Sequence, residues 1–226
     1  KKKITANFES FGDIKKLEDE KIVDKILSNL KDEVKVISVK KSVKSIESKP
    51  AFTTSTLQQE AYNTYHFSPK KTSSLAQMLY EGVEISGQGQ VALVSYIRTD
   101  SVRVSDEAMT AARRLISEKY GEKYLPKAPR KYTNKNSAQD AHEAIRPAHF
   151  ELDPESIKSS LSVDQYRLYK LIWDRFLASQ MASAEVDTVS RDVICQDSIF
   201  RAQGETIKFQ GFLAAYADIA EENSDD

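Results

Sequence analysis

Apolar positions recur at different spacings along this chain, and the spacing marks out its elements. Residues 3–9 alternate apolar and polar side chains, as a short half-buried strand does. Residues 17–30 place Ile22, Val23, Ile26, Leu27 and Leu30 on one helical face, behind acidic residues in the first turn. From residue 33 to 46, Val34, Val36, Val39, Val43 and Ile46 stand among lysines. That predicts one long strand or an edge-like strand pair, because lysine suits an exposed edge. Ser48-Lys49-Pro50 closes this first region.

Beyond Pro50 the spacing becomes helical. Ser55-Thr56-Leu57-Gln58 spells a capping box, and Leu57, Ala61, Tyr62 and Tyr65 follow on one face. Pro69 suits the first turn of a second helix carrying Leu75, Met78, Leu79 and Val83. Gly87 and Gly89 then make a turn; a Gly-x-Gly spacing can cradle phosphate but is ordinary in a hairpin. Residues 91–97 form the most apolar short run and predict a buried central strand, ended by the polar run Arg98, Thr99, Asp100 and Ser101. Ser105 caps a helix running to Tyr120, with Gly121 as its stop. A short helix is predicted over residues 137–146, ended by Pro147. Ser162-Val163-Asp164-Gln165 caps the longest helix, whose buried stripe is Tyr166, Tyr169, Ile172, Trp173, Phe176 and Leu177. Strands follow at residues 188–194, 199–202 and 206–209, with a hairpin at Gln203-Gly204-Glu205. This order predicts an α+β chain. A mostly helical domain (residues 50–184) is inserted into a β-rich domain made of residues 1–49 and 185–226.

Composition narrows the classes. The net charge of −1 hides a division: +4 over residues 1–50, +3 over 51–150 and −8 over 151–226. A basic front and acidic tail suit a portion facing nucleic acid joined to one facing away. The single Cys195 excludes an internal disulfide and a multi-cysteine metal cluster, and three scattered histidines argue against zinc. No signal segment and no apolar run of about 18 residues is present, so a cytoplasmic setting is expected. Beginning at Lys1 and ending in Asp225-Asp226, the chain reads as a fragment of something longer.

The candidate chemistry lies at the end of the central strand. A two-residue period puts Tyr96 and Arg98 on the same side, beside hydroxyls and a carboxylate: a site for handling a phosphate. A half-buried packing tyrosine followed by a turn fits the same residues. On the predicted helix 137–146, Gln139, His142, Glu143 and Arg146 fall on one polar face, either a structural histidine or an anion-facing pair.

Tyr96-Ile97-Arg98-Thr99-Asp100-Ser101 resembles the active-site signature of bacterial DNA topoisomerase I, a type IA enzyme. The segment from Ala51 through Thr54, Ser55 and Gln58 to Gln59 is similar to the family's lead into its tyrosine domain. The block Ala141-His142-Glu143-Ala144-Ile145-Arg146-Pro147 resembles a second family motif. The resemblance implies a tyrosine domain with a helix-turn-helix-like core, inserted in a β-rich arch. It further implies cleavage of one DNA strand by Tyr96 through a 5′-phosphotyrosyl bond, strand passage and resealing, which relaxes negative supercoils without ATP. A free phenol, with pKa about 10, is ionised only about one part in a thousand at neutral pH, so a neighbour must help. Arg98 is the candidate for that and for charge on the non-bridging oxygens, and His142 for an adjacent phosphate. Thr99 and Ser101 are expected to donate to phosphate, Asp100 to orient Arg98 or a loop amide, and Glu143 and Arg146 to order the histidine's helix. Ser55, Gln58 and Gln59 are expected in the DNA groove, with Lys70, Lys71, Arg103, Arg113 and Arg114 as a basic track. The family's Mg²⁺ sits in a Toprim domain whose Asp-x-Asp cluster this sequence lacks, so no metal ligand is expected here. A monomer acting on single-stranded and negatively supercoiled duplex DNA is expected; the segment alone is expected to bind single-stranded DNA weakly at low salt and neither to cleave nor to relax DNA. A bacterial nucleoid location follows from the same likeness. A DNA-binding module without chemistry, a tyrosine recombinase and a purely structural arch are the rival readings.

Overall fold

The structure, a computed structural model, describes residues 4–134 and 142–216. Its elements run β1 (Asn7–Phe11), α1 (Glu20–Asn29), β2 (Lys35–Ile46), α2 (Thr54–Tyr65), α3 (Pro69–Glu81), β3 (Val83–Ile85), β4 (Gly89–Val91), α4 (Asp106–Tyr120), α5 (Val163–Gln180), β5 (Ala184–Cys195) and β6 (Ser198–Phe209). A 3-10 helix follows at Gly211–Tyr216. The chain is α+β, as expected. It divides into a unit of Lys1–Ile46 with Ala184–Phe209 and a unit of Glu47–Ser183 with Gln210–Asp226. The 3-10 helix Gly211–Tyr216 therefore falls with the helical unit, where the sequence pattern assigned residues 185–226 to the β-rich one.

The first unit is an antiparallel sheet in the order β1-β6-β5-β2. Residues 35–46 form one long strand, paired with β5 from Lys35↔Ile194 to Ile46↔Ala184. Val36, Val39 and Val43 are more than half exposed on it. The β5–β6 turn lies at Gln196 and Asp197, with Gln196 left-handed (φ 54°), and not at Gly204. Gly204 instead sits inside β6 opposite Val189. Arg201 ties three strands together, meeting Asp192 at 2.7 Å and Glu9 at 3.1 Å. Its hydrogen bond holds the Asp192 carboxyl below the usual carboxylate range.

The second unit is built around α5. Every residue from Leu168 to Gln180 is buried, a full circumference rather than the single stripe that the spacing suggested. Its charges are compensated: Lys170 Nζ lies 2.9 Å from Asp174 Oδ2, and Arg175 meets Glu60 at 3.1 Å. Arg175 also donates to the Tyr216 hydroxyl at 3.0 Å and covers the Phe52 ring at 4.4 Å. The expected box Ser162/Gln165 opens α5. Helix α2 starts one residue before the expected cap, through a reciprocal box between Thr53 and Thr56, so Ser55 lies inside the helix. Tyr132 donates within reach of two carbonyls, Ser179 at 3.0 Å and Ser48 at 3.3 Å. Arg130 donates to the Met181 carbonyl at 2.7 Å. The 3-10 helix is held by Phe212 N–H donating to the Ala182 carbonyl at 2.9 Å. Gly211 (φ +50°) is required there, because a Cβ would run into the Ser183 carbonyl.

Two expectations near the motif change. The central strand shrinks to β4, in a hairpin with β3, and residues 92–101 form no ladder, with one isolated bridge at Val94 and bends at Ser95, Ile97 and Arg98. Residues 137–141 lie outside the described residues, and residues 142–147 are extended, not helical. Ile145 bridges to Phe52 and Pro147 to Val94, pairing that a helix would forbid.

Candidate active site

The run after β4 keeps a two-residue period of burial without being a sheet strand. Ile97, Thr99 and Ser101 are buried (6%, 6% and 0% exposed), whereas Tyr96, Arg98 and Asp100 face outward. The phenol is 45% exposed. The alternation follows from hydrogen bonds on both sides. Upstream, Ser95 N–H donates to the Arg146 carbonyl at 2.9 Å, and Ala148 N–H donates to the Leu93 carbonyl at 2.9 Å. Ser95 Oγ donates to the Ala144 carbonyl at 2.9 Å and accepts from Arg146 N–H at 3.0 Å. Downstream, the first turn of α2 takes over: Thr54 N–H donates to the Thr99 carbonyl at 2.9 Å. Thr54 Oγ1 lies 2.6 Å from the Ile97 carbonyl, and accepts from Thr99 N–H at 2.9 Å.

The ladder to residues 144–148 carries His142 to the tyrosine. The imidazole and Tyr96 ring centroids are 6.1 Å apart, tilted by 40°. On α3, Tyr80 meets the Tyr96 ring edge-to-face at 5.6 Å, a contact that sequence spacing did not reveal. Glu143 turns from the phenol to receive Arg146 at 2.8 Å, and Arg103 lies 3.9 Å away. Arg146 also donates to the Pro147 carbonyl at 2.9 Å. Both members of the Glu143–Arg146 pair are about one-fifth exposed, so this arginine braces the backbone.

Thr99 and Ser101 do not present hydroxyls to solvent. Thr99 Oγ1 accepts from Ser101 N–H at 3.0 Å, and Ser101 Oγ accepts from Arg103 N–H at 3.2 Å and from Asn134. They shape the loop from within, because the same alternation that exposes Tyr96 and Arg98 turns them inward. Among the described residues, neither Arg98 nor Asp100 has an ion pair or side-chain hydrogen bond, so the expected Asp100–Arg98 contact is not formed. Arg98 lines a cavity of about 270 Å³ with Thr54, Leu57, Gln58, Ser73 and Gln77.

The remaining candidates separate by what they already touch. Gln58 donates to Ser73 Oγ at 3.0 Å, and Ser55 Oγ lies 3.2 Å from Thr53 Oγ1. Lys71 is committed to Asp164 at 2.7 Å and lies over the Phe67 ring. Arg113 donates to the Pro126 carbonyl and Arg114 pairs with Glu118. Gln59 and Lys70 are exposed. Among the described residues, no group of three or more His, Cys, Asp or Glu side chains is placed to hold a metal ion.

A tyrosine and an arginine are thus presented together on a braced loop, with an imidazole 6.1 Å from the phenol ring. The family model described as DNA topoisomerase (Topoisom_bac) matches residues 2–226, and the chain belongs to that family. It is also similar to the structure of full-length topoisomerase I from Thermotoga maritima in a monoclinic crystal form. The TM-score is 0.79 at 39% identity, covering 95% of this chain and 34% of that one. The chain thus spans about a third of the length of that relative. No helix among the described residues is long and apolar enough to cross a membrane.

Proposed function

We propose that this chain is the nucleophile-bearing part of a bacterial type IA topoisomerase. Tyr96 oxygen attacks a phosphodiester phosphorus in line and the bond to the 3′ oxygen breaks. The 5′ phosphate stays on the tyrosine as a diester, the phenol proton leaves, and the departing 3′ oxygen acquires a proton as 3′-OH. The reverse reaction reseals the strand, and because the ester conserves the broken bond's energy, no ATP is consumed. Arg98 compensates charge on the non-bridging oxygens and His142 holds a neighbouring phosphate. Lys70, Gln59 and Ser55 extend the single-strand path along α2 and α3, while Thr99 and Ser101 keep the loop in shape. Mg²⁺ and the stabilisation of the 3′-OH come from a separate Toprim domain, so this segment by itself binds single-stranded DNA and leaves supercoils unrelaxed. It works as a monomer in the bacterial cytoplasm, on negatively supercoiled DNA.

The observation that carries this reading is the exposed phenol beside Arg98 on one face, with the His142 ring 6.1 Å away. The test joins this segment to its metal-binding domain and supplies single-stranded DNA labelled on the 3′ side of the break. Label retained after denaturation, lost in Tyr96→Phe and absent from the isolated segment, is the expected result. DNA binding with no retained label would leave only a DNA-binding module.

A further inference from the structure

The tripeptide Tyr96-Ile97-Arg98 hangs between two half-buried hydroxyl side chains, those of Ser95 and Thr54. Ser95 Oγ both donates to the Ala144 carbonyl (2.9 Å) and accepts from Arg146 N–H (3.0 Å), so it spans two residues of the segment that follows His142. Thr54 Oγ1 does the matching work at the other end. It sits 2.6 Å from the Ile97 carbonyl and 3.0 Å from that of Thr99, and it accepts from Thr99 N–H. No sheet ladder runs through residues 95–99 to fix their path, so these contacts replace it. Buried Ile97 is the one side chain of the three that points inward.

The consequence is geometric. Tyr96 lies one residue from the Ser95 clamp, and Arg98 lies between the two carbonyls that Thr54 reaches. Among the described residues, the phenol and guanidinium have no hydrogen-bond or ion-pair partner that would aim them, and Tyr96 has ring contacts with Tyr80 and His142. Their aim is therefore set by the backbone under them. Resting on the function proposed above, we infer that Ser95 and Thr54 are positioning residues for the strand-cleavage step, fixing Tyr96 and Arg98 in register with His142. Neither touches DNA. Misplacing an attacking atom by about 1 Å costs on the order of 10²-fold in rate, whereas binding spread over many phosphates is insensitive to such a shift.

The experiment uses single-turnover cleavage of labelled single-stranded DNA by an intact protein joining this segment to its metal-binding domain. Ser95→Ala and Thr54→Val remove the hydroxyls; Ser95→Thr and Thr54→Ser keep them. The expected result is a cleavage rate constant lower by ~10–100-fold in the first pair, at unchanged DNA affinity and unchanged adduct amplitude, with most of the rate restored in the second pair. A purely structural role would lower the amplitude, the active fraction, and leave the rate constant alone. That outcome, or a rate equal to wild type in a folded variant, overturns the inference. Loss of adduct formation in the unsubstituted protein, or an adduct that survives Tyr96→Phe, would instead overturn the catalytic reading beneath it.

Discussion

Replacing Glu143 with alanine should strengthen DNA binding at low salt while weakening cleavage. Glu143 neutralises two guanidiniums: Arg146 through two contacts at 2.8 Å and Arg103 across 3.9 Å. Arg146 is about one-fifth exposed and keeps its bond to the Pro147 carbonyl, so it stays in place. The Arg103 side chain is 43% exposed and turns outward without disturbing packing. One additional phosphate neutralised on a single strand steepens the slope of log K against log salt by about 0.7, which between 50 and 200 mM salt is roughly an extra 2.6-fold loss. Losing the partly buried pair costs about 1–2 kcal/mol of stability. Cleavage falls because the segment bearing His142 loses its brace. Fluorescence anisotropy of a labelled oligothymidine over a salt series reads the slope, and denaturant unfolding reads the stability. The added Arg103→Ala change should return the slope to that of the parent. An unchanged or shallower slope in a folded Glu143→Ala protein would show that Arg103 lies away from the DNA path and would refute this account.

Three other outcomes follow from the packing. Burial raises the pKa of Tyr132, Tyr169 and Tyr216 above the ordinary value, Tyr169 most of all. Unfolding then releases protons at high pH, so stability is complete below about pH 10 and declines above it, with Tyr169 contributing most, at up to about 1.4 kcal/mol per pH unit. Tyr169→Phe, followed by urea titration between pH 9 and 11, should show a smaller decline, and an identical one would refute the assignment. Glu60→Gln should destabilise by about 2–3 kcal/mol, since it strips the counter-charge from buried Arg175, whereas Arg175→Met should cost less; chemical denaturation that ranks them the other way would contradict it. Gly211→Ala combines a left-handed backbone with a backbone clash, and should cost about 2–4 kcal/mol by the same method; a cost under about 0.5 kcal/mol would show that the turn relaxes freely.

The parts legible in the sequence were those written in short-range chemistry. The Ser162/Gln165 box fixed the start of α5, and the alternation around Tyr96 showed which side chains share a face although no ladder forms there. The hairpin was misplaced because Gln196 adopts a left-handed backbone with no residue-type signal, while Gly204 is merely tolerated in an extended strand. Residues 142–146 carry polar side chains at helical spacing, yet long-range pairing with Phe52 and Val94 prevailed over that local pattern. Tyr80, Thr54 and Ser95 were missed for a related reason: each acts on a distant stretch of chain through a contact that leaves no periodicity. The match of Gly211–Tyr216 to the helical unit depends on the close approach to Ser183, which spacing cannot express.

The Tyr132 hydroxyl has a bearing on how the chain folds. Between β2 and β5 lie residues 47–183, and closing so long an open loop costs roughly 4 kcal/mol in chain entropy before any strand pair forms. Tyr132 reaches carbonyls of both Ser48 and Ser179, and so gathers the two ends of that intervening stretch within one folded body. Once this body has formed, Ile46 and Ala184 are delivered near each other, and β2 and β5 zip from there at the entropic cost of a short hairpin. During synthesis β2 therefore waits, its valines open to water, for a partner made more than a hundred residues later. Lysines alternating with those valines keep the waiting strand from finding another chain first.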